Sequence, residues 1–103
     1  MLPALDPVIH APARLQLAAV LAEVTDMEFA TARDLLGVSD SVLSKHLAQL
    51  GEVGYVALRK ASLGGRQRTW LSLTDAGRTA FRNHVAALEQ LVAAARAVPG
   101  GGA

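Results

Sequence analysis

Between Phe29 and Val56 the chain reads FATARDLLGVSDSVLSKHLAQLGEVGYV, and this stretch limits the possible folds more than any other. It reads as two helices joined by a tight turn. The first carries Ala32, Leu35 and Leu36 and stops at Gly37, a residue type that closes helices. Ser39 follows, a hydroxyl able to cap the free amides of the second helix. There Leu43, Leu47 and Leu50 recur at i, i+4 and i+7 and share one face. Ser41, Ser44, Lys45 and Ala48 repeat on the same spacing on the opposite side, and Gly54 ends the helix before Tyr55 and Val56. One face binds the domain, while the other offers small polar groups and a lysine. A helix that lies on a core and reads the edge of a partner has this form. So does any pair of antiparallel helices with a solvated outer face.

The downstream sequence bears on that choice. Tyr55 to Ser62 reads as a strand, Leu63-Gly64-Gly65 as a turn and Gln67 to Leu73 as a second strand, which together make a hairpin. It carries Arg59, Lys60, Arg66 and Arg68 and no acid. Charge on exposed strands also protects an edge from aggregation. Acids would serve that purpose as well as bases, and here every charge has one sign, which favours phosphate contact. The net charge of the chain is only +1, but it is unevenly distributed. Residues 1–38 set Arg14 and Arg33 against Asp6, Glu23, Asp26, Glu28 and Asp34, a balance of −3. Residues 39–73 set Lys45, Arg59, Lys60, Arg66 and Arg68 against Asp40 and Glu52, a balance of +3. Local patches of this kind matter more than the total.

On either side of this centre lie candidate partner-binding helices. Residues 1–9 contain two prolines and are expected to form an irregular arm. From Pro12 a helix is expected in which Leu15, Leu17, Val20, Leu21 and Val24, with Ala18, Ala19 and Ala22, cover nearly the whole circumference. Such a helix must be covered on more than one side, and the second cover can be another subunit. Met27-Glu28-Phe29 reads as a very short strand. Thr74 can cap a last helix, with Asp75 adding a favourable charge at its start. That helix runs to about Val98, roughly 35 Å. Phe81, Val85, Leu88, Val92 and Ala95 form a heptad-like seam along it. A domain of this size is only about 25–30 Å across, so part of the helix overhangs and needs a partner. Pro99 and the following glycines read as a flexible tail, 99–103, leaving 1–98 as one domain.

Cysteine is absent, which excludes disulfides and thiolate chemistry and fits a reducing compartment. No apolar run is long enough to span a membrane and the N-terminus lacks a basic region, so neither a span nor a signal peptide is expected. His10, His46 and His84 share no ligand spacing and have no acid at i+3 or i+4, so no metal or other cofactor is expected. His46 flanks the leucine face, where a half-buried structural role is expected. No nucleophile–base order is legible, and Gly64-Gly65 lies between strands instead of leading into a helix as a phosphate cradle does. An enzyme is not expected.

A helix, a helix-turn-helix, a basic hairpin and a long terminal helix describe a winged helix, mainly α with a small β-hairpin. Several blocks also resemble a known family: Leu36-Gly37-Val38-Ser39-Asp40, Leu43-Ser44-Lys45-His46-Leu47, Gly54-Tyr55-Val56, Arg68-Thr69 and Leu73-Thr74-Asp75-Ala76-Gly77-Arg78. Over roughly residues 5–95 the chain is similar to the small winged-helix transcriptional regulators related to MarR and ArsR repressors. The resemblance implies a cytoplasmic homodimer that binds double-stranded DNA and represses transcription. The recognition helix, 39–53, would enter the major groove, and the basic wing, 59–68, would lie on flanking backbone or in the minor groove. By position, Ser39, Ser41, Ser44 and Lys45 belong to the recognition helix and Arg66, Gln67 and Arg68 to the wing. Thr31, Asp40 and Lys60 complete the DNA-facing set. Leu15, Phe81, Val85, Leu88, Val92 and Ala95 would form the dimer interface. The resemblance leaves a small-molecule effector open without naming one. ArsR-like metal sensors commonly use cysteines, so that chemistry does not carry over in that form. The alternative is a winged helix that binds protein without DNA, which would expose apolar residues at 41, 44, 45 and 48.

Overall fold

The computed structural model describes residues 2–100. In chain order these are α1 (Pro7–His10), α2 (Pro12–Ala22), β1 (Met27–Glu28), α3 (Phe29–Leu36), α4 (Asp40–Glu52), β2 (Val56–Leu63), β3 (Arg66–Leu73) and α5 (Asp75–Arg96). Of the expected tail, residues 101–103 lie outside the described residues.

The leucine face of α4 lies against α2, as its spacing predicts. Leu43, Leu47 and Leu50 join Leu17 and Leu21 of α2, Ala32 of α3 and Val56, Leu71 and Leu73 of the sheet in one core. Leu35 does not join them. It is 62% exposed, because α3 turns Ala32 inward and Leu35 sits about a quarter-turn beyond the buried stripe.

The sheet is antiparallel, in the order β1-β3-β2. Gly64 and Gly65 both take left-handed φ values, 60° and 77°, the two-residue turn that matches strand twist. They set the register that places Leu63 opposite Arg66 and Val56 opposite Leu73. At the other edge Met27 and Glu28 pair with Leu71 and Trp70. Phe29 begins α3 instead of continuing that strand.

Two segments depart from expectation or go beyond it. Residues 7–10 are helical where an irregular arm is expected. Asp6 accepts hydrogen bonds from the Val8 and Ile9 amides at 2.9 and 3.3 Å, and Pro7 supplies a preset φ at the first helical position. Ile9 is buried, which anchors the arm. The block Leu73 to Arg78 proves to be a structural lock. Thr74 caps α5 by accepting from the Gly77 amide at 3.0 Å, and its hydroxyl donates to the Gly54 carbonyl. Arg78 donates to the Ala22 and Val24 carbonyls at 3.2 and 2.9 Å, satisfying the frayed end of α2. Gly77 lets α5 approach the backbone of Tyr55 more closely than any side chain would allow.

Beyond this root α5 is poorly covered. Of its 22 residues only Gly77 and His84 are buried. Phe81, Val85 and Leu88 are half-buried, whereas Val92 and Ala95 are exposed. The molecule measures 63 × 26 × 21 Å, elongated for a chain of this length.

Candidate nucleic-acid interface

The core fixes the rotation of α4, and the rotation fixes what the helix presents. With Leu43, Leu47 and Leu50 buried, Ser41, Ser44, Lys45 and Ala48 stand exposed on the outer side. Ser39 also lies at this end but is engaged in the fold: its hydroxyl accepts from the Val42 amide at 3.2 Å and sits 3.2 Å from the Ser41 hydroxyl. Asp40 is exposed and its charge is met by Arg33 at 2.9 Å, which also holds Asp34 at 2.9 Å. Arg33 thereby staples α3 to the start of α4 across the turn. Thr31 is exposed on α3. Among the described residues Lys45 forms no ion pair, so its charge is free for a partner.

The wing is less uniformly basic than its sequence implies. Arg59 pairs with Asp26 at 2.9 Å, and Arg68 pairs with Glu28 at 2.6 Å. Both acids belong to the negative N-terminal third, and β1 brings them to the edge of β3. Lys60, Arg66 and Gln67 remain exposed, and neither Lys60 nor Arg66 forms an ion pair among the described residues. Arg68 is half-buried and its Nε, shielded from solvent, has no partner. Within α4 and the wing, the free positive charge is therefore concentrated on Lys45, Lys60 and Arg66. Between α4 and β2 lies an open, largely apolar groove of about 310 Å³, lined by Ser44, Leu47, Ala48, Gly51 and Leu58.

Sequence spacing misses one cluster altogether. His10 and His84, 74 positions apart, meet with Nδ1 of the first 3.3 Å from Nε2 of the second. Asp6 and Tyr55 complete the group, the Tyr55 hydroxyl donating to the Asp6 carboxylate at 2.8 Å. It borders a cavity of about 520 Å³ lined in part by Tyr55, Asp75, Thr79, Asn83 and His84. Among the described residues no three His, Asp or Glu side chains come together as a metal-binding group. His46 is half-buried, with Nδ1 unpartnered.

Helix-turn-helix, wing and exposed α4 row all fall inside residues 13–92, the span matched by the family described as winged helix DNA-binding domain. The chain belongs to this family. As a winged helix it is 31% identical over 84 residues to an uncharacterized protein of Methanocaldococcus jannaschii, covering 82% of this chain and 91% of that one. Its fold is similar to that of a transcriptional regulator homologue from Pyrococcus horikoshii OT3, with TM-score 0.80 and 22% identity over 85% of this chain and 87% of the other. It is also similar to ZitR, a zinc-responsive MarR family member of Lactococcus lactis, with TM-score 0.63 and 21% identity over 88% of this winged helix. The match spans 62% of that longer protein. The winged-helix fold expected from the sequence is thus shared with a MarR family member.

Proposed function

We propose that the protein is a transcriptional repressor that binds a specific duplex DNA site as a homodimer, with α4 in the major groove and the wing on the flanking backbone. One observation carries this reading: the leucine face locks α4 to the core and leaves Ser41, Ser44 and Lys45 exposed on its outer side. Serine can donate to or accept from several base edges, and lysine favours guanine O6 and N7. Ser39 and Asp40 act mainly through the helix start they build, Ser39 as cap and Asp40 through Arg33.

The decisive measurement is a ratio of specific to scrambled duplex affinity at fixed salt. Ser44→Ala with Lys45→Ala keeps helix propensity and leaves the leucines untouched, so circular dichroism is expected to be unchanged. Each lost base contact is expected to cost about 1–3 kcal/mol on the specific site and less on the scrambled one. An unaffected ratio would mean that α4 does not read bases. The reading in which this face binds protein would then take over. It draws its support from the apolar groove beside Ala48, where Leu58 is 52% exposed.

Salt dependence tests the wing separately. With Arg59 and Arg68 paired to acids, Lys45 in the groove and Lys60 and Arg66 on the backbone bring about six free cations to the duplex per dimer, each counted as neutralising one phosphate. The slope of log K against log salt is then expected near −5.4, from about −0.9 per phosphate. Arg66→Ala is expected to flatten it by about 2, whereas Arg68→Ala changes it little. A slope insensitive to Arg66 would remove the wing from the interface.

A further inference from the structure

At the root of the wing, two segments far apart in the sequence, the N-terminal arm and α5, are joined by a single line of hydrogen bonds. The Asp6 amide donates to His84 Nδ1 at 3.2 Å, and His84 Nε2 lies 3.3 Å from His10 Nδ1. His84 is only 2% exposed, so its hydrogen bonds cannot be replaced by water. The Asp6 amide can only donate. His84 Nδ1 must therefore be the bare, accepting nitrogen, and a neutral ring then carries its proton on Nε2. That proton points at His10 Nδ1, which must in turn be bare. The line thus runs in one direction, from Asp6 through His84 to His10, and it has no place for another proton. A proton added to His84 Nδ1 faces the Asp6 amide, and one added to His10 Nδ1 faces the His84 Nε2 proton. Either addition sets two donors against each other and breaks the line.

We propose that this histidine pair is a proton-operated latch that holds the N-terminal arm, residues 2–10, on α5 at neutral pH and releases it in acid. The charged and titratable groups around His84 are consistent with that role. Asp6 and His10 face it from the arm, Tyr55 from the segment before β2, and Asp75 from across the cavity on α5 itself. Arg14 of α2 directs its guanidinium elsewhere, to the Val8 carbonyl and Gln49. Burial, reinforced by His10, lowers the His84 imidazole below its ordinary value, with Asp6 opposing. With the arm released, His84 takes up a proton near the ordinary imidazole value, about 6.5, whereas under the docked arm it resists protonation. Docking is therefore undisturbed above about 6.5 and loses stability as pH falls below it toward the lower docked value. Release withdraws Asp6 from the Tyr55 hydroxyl and uncovers Ile9, so it reaches both the residue that leads into the wing and the core beneath the arm.

The test follows amide hydrogen exchange of Val8, Ile9 and His10, corrected for intrinsic rates and compared with α4 amides. Between pH 7.5 and 5.0 the wild-type arm is expected to lose protection several-fold, up to about 30-fold, the charged-to-neutral ratio at pH 5.0 of an imidazole with the ordinary value of about 6.5. His84→Asn places an amide oxygen where Nδ1 accepts and cannot titrate, so its arm is expected to stay within about twofold over the same range. Protection independent of pH in the wild type, or an equal loss in H84N, would overturn the latch. A further readout needs no variant. Long-range ¹⁵N spectra of the wild type at pH 7.5 are expected to place the His84 proton on Nε2, and a proton on Nδ1 would refute the scheme.

Discussion

Gly77→Ala is expected to lower the unfolding free energy by about 3–5 kcal/mol, the upper end for overpacking. A Cβ at this position would lie 2.0 Å from the Tyr55 carbonyl oxygen and 2.9 Å from its carbon. Those are backbone atoms, so no rotamer change relieves the clash. The same oxygen accepts from the Thr74 amide at 3.1 Å, so moving it would disturb the cap of α5 and the entry to the wing together. Urea unfolding followed by circular dichroism measures the loss, and a matched control separates it from helix propensity. Gly51 sits in α4 with nothing within 4 Å of a built Cβ. Gly51→Ala is therefore expected to be neutral or to stabilise by up to about 1 kcal/mol. Equal behaviour of the two substitutions would refute the close approach at Gly77.

The close approach at Gly77 belongs to the part of the fold that the sequence did not disclose. Thr74 was legible as a cap and Asp75 as a helix-start charge because both act within one turn of chain. The partners of Gly77 and Arg78 lie 22 and more positions away, and no local pattern announces a carbonyl waiting across the fold. The elements themselves were readable for the converse reason. Leu43, Leu47 and Leu50 carry the helical period, and Gly64-Gly65 fits one hairpin geometry. Asp6-Pro7 is likewise a local helix-start signal, but the two prolines of the arm obscured it.

Charge shows the same division. Counting along the chain separated a negative N-terminal third from a positive wing segment, and the count is correct. Folding then sets the two side by side, since Glu28 pairs with Trp70 in the sheet and its carboxylate reaches Arg68. Half of the hairpin's four cations are thereby matched by acids that sequence distance had put in another compartment. Asp26 and Glu28 orient the wing, leaving Arg66 at its tip and Lys60 as the cations available to phosphate. The histidine pair is hidden from local pattern too, because the two rings, 74 positions apart, meet only through the docking of α1 on α5.

Replacing Leu88 and Val92 by aspartate is expected to convert the proposed dimer to monomer, weakening association by at least about 10³-fold, or roughly 4 kcal/mol. The seam of α5 motivates the choice. Leu88 and Val92 line an open groove of about 360 Å³ with Glu89, Ala93 and Arg96, and Val92 is 48% exposed. Val92 is already in water and can become a carboxylate without harming the monomer, whereas Leu88, like Phe81 and Val85, is half-buried, so the fold of the variant is checked directly. In a two-fold dimer each substitution occurs twice, so four carboxylates would be desolvated without partners, at several kcal/mol each if the interface is dry. Sedimentation reads the assembly, and thermal unfolding confirms that the monomer is intact. DNA binding supplies a second readout. A dimer requires two half-sites about one helical turn apart, 10–10.5 bp, or a multiple of it. The monomeric variant is expected to bind one half-site with half the contacts, so its salt slope falls from about −5.4 to about −2.7. A wild-type protein that sediments as a monomer at high micromolar concentration would overturn the dimer. A variant that keeps the full slope would mean that the two recognition helices never acted together.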